Sequence, residues 1–251
     1  MTLTSPDGRP VPRRRPGRPP AVDAEAIATA VIGVGFHDLT FASVAERLGV
    51  GQATLYRHAS NRDELVRLGL DRVLRTAEWP DLEGDWRPLL ERWAVAAWRV
   101  WEQHPGAVLE LTGGVVPWSI VMLSDTVGAA LVERGFTARS AVLAVDLVFD
   151  LTADSRRGVE ILDAPMLAQE GKVREVLEKQ WRTPSAERAD SVAAQVHDEM
   201  ILAITADPFE WFHGKLRIVL AGIAQELAGD GADGRRDDHG DRTTTTRGTS
   251  R

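Results

Sequence analysis

Leu39-Thr40-Phe41-Ala42-Ser43-Val44-Ala45-Glu46-Arg47-Leu48-Gly49-Val50-Gly51-Gln52-Ala53-Thr54-Leu55-Tyr56-Arg57-His58 is the stretch on which the reading of this chain turns. Val44, Ala45 and Leu48 fall on one face of a short helix over residues 41–48, and Leu55 takes the inward position of a second helix over residues 52–58. Gly49 supplies the turn between them. Gln52, Thr54, Tyr56, Arg57 and His58 are left mostly outward on the second helix, a set rich in hydrogen-bond donors. Short helix, glycine turn and short helix with a polar outer face is the helix-turn-helix arrangement, whose second helix fits a DNA major groove.

Upstream, Asp23 is placed to cap a helix carrying Ile27, Ala30, Val31 and Val34 on one face, ended by Gly33 and Gly35. Downstream, Asn61 with Glu64 three residues on reads as a capping box opening a fourth helix through Leu65, Leu68, Val73 and Leu74. Beyond Pro80 helical periodicity continues, with starts suggested at Trp86, Pro105, Pro117, Thr137, Ala186 and Pro208 and no alternating strand pattern, so the fold class is all-α. Residues 163–185 are less periodic and are either a loop or a loosely held helix. Six prolines before residue 21 prevent helix propagation there and leave an extended arm. Arg14, Arg15 and Arg18 in that arm are either minor-groove contacts or part of a solvated basic tail. Glycines, aspartates and the threonine run make residues 229–251 an expected disordered tail. The expected organisation is an arm (1–22), a DNA-binding head (23–67), a helical body (68–228) and the tail.

The 251 residues are 43% hydrophobic and 27% charged, the balance of a folded globular chain. Charge divides by region: residues 1–67 hold nine arginines against seven acidic residues, whereas residues 68–228 hold sixteen basic against twenty-five acidic. A basic head on an acidic body points to the head alone as the part that meets a polyanion. The absence of cysteine excludes disulfide scaffolds, thiolate metal sites and cysteine nucleophiles. No histidine pair has H-x-x-x-H spacing, and no G-x-S-x-G, Walker A or G-x-G-x-x-G pattern occurs, so neither an enzyme nor a cofactor or metal is expected. No apolar run is long enough to span a bilayer and no secretory signal opens the chain, which gives the cytoplasm, at the nucleoid, as the expected compartment.

Residues 39–58 resemble the DNA-binding signature of the tetracycline-repressor (TetR) family, and Asn61-Arg62-Asp63-Glu64-Leu65 looks like the opening of that family's connecting helix. Leu82-Glu83-Gly84-Asp85-Trp86, Val132-Glu133-Arg134-Gly135-Phe136 and Phe209-Glu210-Trp211-Phe212 look like landmarks of its C-terminal domain. The resemblance implies Gln52, Ala53, Thr54, Tyr56 and Arg57 as the major-groove surface, with Thr40, Ser43, Tyr56, His58 and Arg62 near phosphates. The chemistry agrees, since Gln pairs with adenine, Arg with guanine and methyl groups touch thymine, while hydroxyls and cations on the backbone fix register. Alternatively, Tyr56 packs against the first helix and His58 serves as a cap. Ala59 stands where the family commonly has an aromatic residue.

The resemblance also implies a homodimer on a near-palindromic operator, with heads roughly 34–36 Å apart. Residues 137–160 and the helix from Pro208 to Leu227 suit a four-helix interface, with Phe209, Phe212, Leu216, Val219, Leu220 and Ile223 on one apolar face, unless that face is buried within the monomer. Six of the eight tryptophans lie between residues 79 and 118, forming either a core stripe or the wall of a ligand cavity. Trp93, Ala97, Trp101, Trp118, Val127 and Phe149 are the apolar candidates for that cavity, and Glu78, His104, Glu110 and Asp146 the polar ones. Glu110 stands where the tetracycline repressor has a metal-binding histidine, and Val116-Pro117 replaces its arginine–proline pair, which argues against a tetracycline–magnesium ligand. The expected function is a repressor released from its operator by a small molecule. The alternative is a constitutive or architectural DNA-binding dimer.

Overall fold

A computed structural model describes residues 22–166, 171–182 and 191–237 of the chain. The described residues form helices α1 (Ala24–Val34), α2 (Phe41–Leu48), α3 (Gln52–Leu55), α4 (Arg62–Thr76), α5 (Trp86–Gln103), α6 (Ala107–Thr112), α7 (Trp118–Val132), α8 (Ala138–Asp163), α9 (Val173–Trp181), α10 (Val192–Thr205) and α11 (Pro208–Asp237). One isolated bridge, Pro165 to Lys172, is the sole β-type pairing among them.

Local chemistry sets the ends of the head helices. Asp23 accepts the Ala26 N–H at 2.8 Å and starts α1. Thr40 and Ser43 form a reciprocal capping box at the start of α2, each side-chain oxygen accepting the other's backbone N–H at 3.0 Å. Gly49, at φ +67°, closes α2 in the left-handed conformation that a glycine adopts without steric cost. Asn61 accepts the Glu64 N–H at 3.0 Å, whereas the Glu64 carboxylate reaches the N–H of Ser60 rather than that of Asn61. The expected box is therefore shifted by one residue. Helix α3 ends at Leu55, three residues short of expectation: Arg57 and His58 donate to Thr54 and Leu55 in i→i−3 bonds that tighten the last turn out of α-helical geometry.

Two apolar cores organise the chain. The first joins Ile27 and Val31 of α1, Val44 of α2, Leu55, and Leu65, Leu70 and Leu74 of α4 to Val100 and Trp101 of α5 and Ala107 and Val108 of α6. The second gathers α5, α7, α8 and α11 around Trp93, Trp98, Leu131, Val148 and Phe212. Helix α4 crosses the expected head–body boundary at residues 67 and 68 without a break.

The structure corrects several expectations. On α11, Phe212, Leu216, Leu220 and Ile223 are buried against the monomer's own second core, because α8 and α5 already offer them an apolar surface. Helix α11 continues to Asp237, past the expected start of the tail at 229. Within residues 163–185, Val173–Trp181 is helical. The helix start at Ala186, the arginine arm with Arg14, Arg15 and Arg18, and the tail beyond 237 lie outside the described residues.

Candidate nucleic-acid interface and ligand grooves

Helix α3 hangs on Leu55, whose side chain is fully buried in the first core. That single anchor turns Gln52, Ala53, Tyr56, Arg57 and His58 to solvent, with Thr54 half-buried. The side chains of Gln52, Arg57 and His58 make no intramolecular hydrogen bond among the described residues, so their donors and acceptors remain available to a partner. Tyr56 packs on Phe41 of α2 and not on the first helix: the rings stack with centroids 4.3 Å apart while the tyrosine stays 56% exposed. Its ring is thus fixed and its hydroxyl edge left free. Ala59, in place of an aromatic, is buried and donates its N–H to Leu55 O at 2.9 Å. Thr40 and Ser43 are committed to their capping box at the α2 N-terminus, where aligned backbone dipoles favour an anion.

Arg62 departs from its expected place near phosphates. Its Nη1 and Nη2 donate to the two oxygens of Glu110 on α6 at 2.9 and 2.5 Å, its Nε donates to Leu39 O at 3.1 Å and Nη2 to Phe36 O at 3.4 Å. A carboxylate of matching fork geometry in a half-dry joint outcompetes solvent for the guanidinium, and Glu110 raises the Arg62 pKa further. The same pair removes Glu110 from the cavity candidates. A second tie lies nearby: the nearly buried Glu160 of α8 accepts the Gly106 N–H at 2.8 Å and stands 3.9 Å from Nε2 of His37. Gly106 has φ +85°, and a Cβ there would lie 3.0 Å from His37 N and from Phe36 Cβ.

The cavity candidates do not converge. Trp93, Ala97, Trp101 and Val127 are buried in side-chain packing, and Phe149 is half-buried against the second core. The tryptophan stripe is core because aromatic partners fill the space around it. Trp98 stacks on Phe212 at 4.7 Å under the Arg156 guanidinium, and Trp79 stacks on Trp93 at 5.2 Å. Trp118 stands largely exposed at a different groove, between α4 and α7, and Asp146 at a third, between α8 and α11. Only Glu78 and His104 come together, in a groove of about 780 Å³ between the end of α4, residues 77–80 and the outer face of α5. Burial lowers the His104 pKa from its ordinary 6.5 and keeps the ring neutral. Trp79, from the tryptophan-rich segment, also lines this groove, as does Arg99, which was not singled out from sequence although Val95, Ala96, Arg99 and Gln103 recur on the helix face opposite the tryptophans.

On α8, Val142, Leu143 and Leu147 are exposed, as is Ile218 on α11. Among the described residues there is no group of three or more metal-ligating side chains and no helix long and apolar enough to cross a membrane.

Residues 25–68 match the family description "Bacterial regulatory proteins, tetR family". A curated relative, the HTH-type transcriptional repressor DrrR1 of Streptomyces coeruleorubidus, is 36% identical over 100 residues, a match that spans 37% of either chain. The fold is similar to that of the Streptomyces coelicolor TetR family protein ActR in complex with actinorhodin, with TM-score 0.66 and 20% identity over 82% of this chain and 96% of that one. It is also similar to a variant of TetR from Acinetobacter baumannii AYE in complex with minocycline, with TM-score 0.57 and 20% identity over 82% and 98% of the two chains.

Proposed function

We propose that the chain, whose residues 25–68 match the tetR family of bacterial regulatory proteins, is a DNA-binding transcriptional repressor released from its operator by a small molecule. The observation that carries this reading is the outer surface of α3, where Gln52, Arg57 and the edge of Tyr56 project unpaired above a single buried anchor. Gln52 and Arg57 read base edges, Ala53 and Thr54 present methyl groups to thymine, and His58 and the α2 N-terminus seat phosphates.

A single α3 covers too few base pairs for a specific site, so two copies join through the exposed faces of α8 and α11 around Val142, Leu143, Leu147 and Ile218. The proposed partners are a near-palindromic DNA duplex, a second copy of the chain and an effector, and the proposed compartment is the cytoplasm, at the nucleoid. No catalytic role is assigned to the body. The complex of ActR with actinorhodin and the repressor DrrR1 support effector binding and repression here. An effector acts only through its unequal affinity for the DNA-competent and released states.

The test is a gel-shift titration at fixed salt with the DNA flanking the protein's own gene, with and without aromatic small molecules. Specific binding that a compound releases supports the proposal. Specific binding that no compound in the panel alters favours a constitutive DNA-binding dimer, a reading to which the filled tryptophan core lends weight. Absence of specific binding overturns both.

A further inference from the structure

We propose that the groove between the end of α4 and the outer face of α5 binds a flat aromatic molecule bearing an acidic group, with Arg99 as its counter-ion. Helix α5 has two unlike faces. The inner one is filled by Trp93, Trp98 and Trp101, so the packed interior leaves no place for a ligand along it. The outer one carries the short side chains of Val95 and Ala96, which with Thr76 at the end of α4 and Ala77 just beyond it line the groove of about 780 Å³. That volume lies within the roughly 300–1,000 Å³ typical of small-molecule sites.

The groove's wall and its charges select the ligand's shape and chemistry. Trp79 forms one wall, held by its Nε1–H bond to Leu74 O at 2.8 Å and by its stack on Trp93. An indole fixed in this way offers a rigid plane for a second ring system. Two arginines reach the groove, and they differ. Arg92 is engaged by Asp81 at 3.2 Å and by Glu83 O at 2.7 Å, whereas Arg99 has no acidic partner among the described residues. A guanidinium without an acidic partner, beside the aliphatic side chains of Val95 and Ala96, recognises a carboxylate or sulfonate attached to an apolar body. His104, half-buried and neutral, adds a donor and an acceptor for a phenol or quinone-type oxygen. Glu78, exposed at the rim, disfavours a second acidic group at that end.

The location also deepens the effector reading, on which this last step rests. Val73, Thr76 and Ala77 end the helix whose first residue, Arg62, grips the head, so a ligand here bears on α4 roughly 20 Å from that grip. The site lies on the opposite face of α5 from the packed tryptophans.

The experiment uses the full chain and anilinonaphthalene sulfonate, an aromatic anion whose emission rises on leaving water. Emission is titrated with wild type, Arg99→Gln and Ala96→Trp, the last of which fills the groove without touching its charge. The expected result is saturable binding to wild type, roughly tenfold weaker binding to Arg99→Gln, as for loss of a charge-assisted contact, and none of that binding phase in Ala96→Trp. Far-ultraviolet dichroism confirms that the variants keep their helices. A probe that binds all three proteins alike, or binds none, overturns the proposal. Operator binding by the wild type is measured separately, and its failure counts against the regulator reading while leaving the groove's occupancy as measured.

Discussion

Arg62 and Glu110 stand 48 residues apart in sequence and close into a two-pronged ion pair that ties the first residue of α4 to α6. The same guanidinium holds the Phe36 and Leu39 carbonyls of the turn between α1 and α2, so one side chain links three parts of the chain. The pair is one of the ties between head and body, beside the contact of Glu160 with the Gly106 N–H and with His37.

Glu110→Gln and Arg62→Ala are therefore expected to lower stability by about 1 kcal/mol, the value for a pair whose arginine is partly solvated. Operator binding should weaken as the head loses its fixed orientation. The charge swap Arg62→Glu with Glu110→Arg should recover part of the loss in thermal melting. If operator affinity is unchanged in all three variants, head orientation does not depend on this pair.

Arg57→Ala should cost about 1–3 kcal/mol of operator affinity, with loss of discrimination at one base pair and an unaltered melting temperature. Tyr56→Phe keeps the stack on Phe41 and should leave stability intact, whereas Tyr56→Ala should also loosen α2 against α3. Gel shifts and thermal melts on the same preparations separate the two effects.

Gly106→Ala should destabilise the chain by about 1–3 kcal/mol, because the residue sits at φ +85° and the new methyl meets the backbone of His37. Thermal denaturation reads the cost. An unchanged melting temperature would show that the turn between α5 and α6 can move away from the head freely.

His104 gives a dependence on acidity. Burial lowers its folded-state pKa below 6.5, so the unfolded chain takes up a proton first as the solution is acidified. Its contribution is nil above the ordinary histidine pKa and turns destabilising as pH falls from there toward the lowered value. His104→Gln should accordingly lose less stability than wild type between neutral pH and pH 5, as read by melting temperature against pH. Parallel curves would remove His104 as the source.

Leu147→Glu places a charge on the exposed apolar face of α8 and is expected to yield monomers by sedimentation, with operator binding lost at concentrations where wild type binds. A variant that stays dimeric would move the interface away from this face.

What the sequence made legible follows the reach of each interaction. The cap at Asp23, the turn at Gly49 and the burial of Leu55 depend on neighbours within a few residues, and their reading agrees with the structure. The pairing of Arg62 with Glu110 is not legible in the sequence, because the partner lies on another helix and a cation next to a recognition helix looks the same whether it faces a phosphate or a carboxylate. Helical periodicity groups Trp93, Ala97 and Trp101 on one face but is silent on whether the facing space is filled. Trp93 is buried in the second core with residues of α7, α8 and α11, and Trp101 in the first core with residues of α1, α4 and α6. The outer face of α5 went unnoticed for the converse reason: short side chains become a groove only when another element stands across from them.

The first core runs without interruption from Ile27 of α1 through Leu74 of α4 to Trp101 and Val108. Reading head and thermodynamic unit consequently do not share a border. Cut after Thr76, the head would lose the apolar cover that α5 and α6 give to Val73 and Leu74, and it should behave as a fragment with diminished cooperativity. Heads of this kind are not cassettes to be exchanged between regulators at the end of α4. A chimera that keeps its specificity must carry the close of α5 and all of α6 along with the recognition helix, so that what reads the DNA and what listens to the body are inherited together.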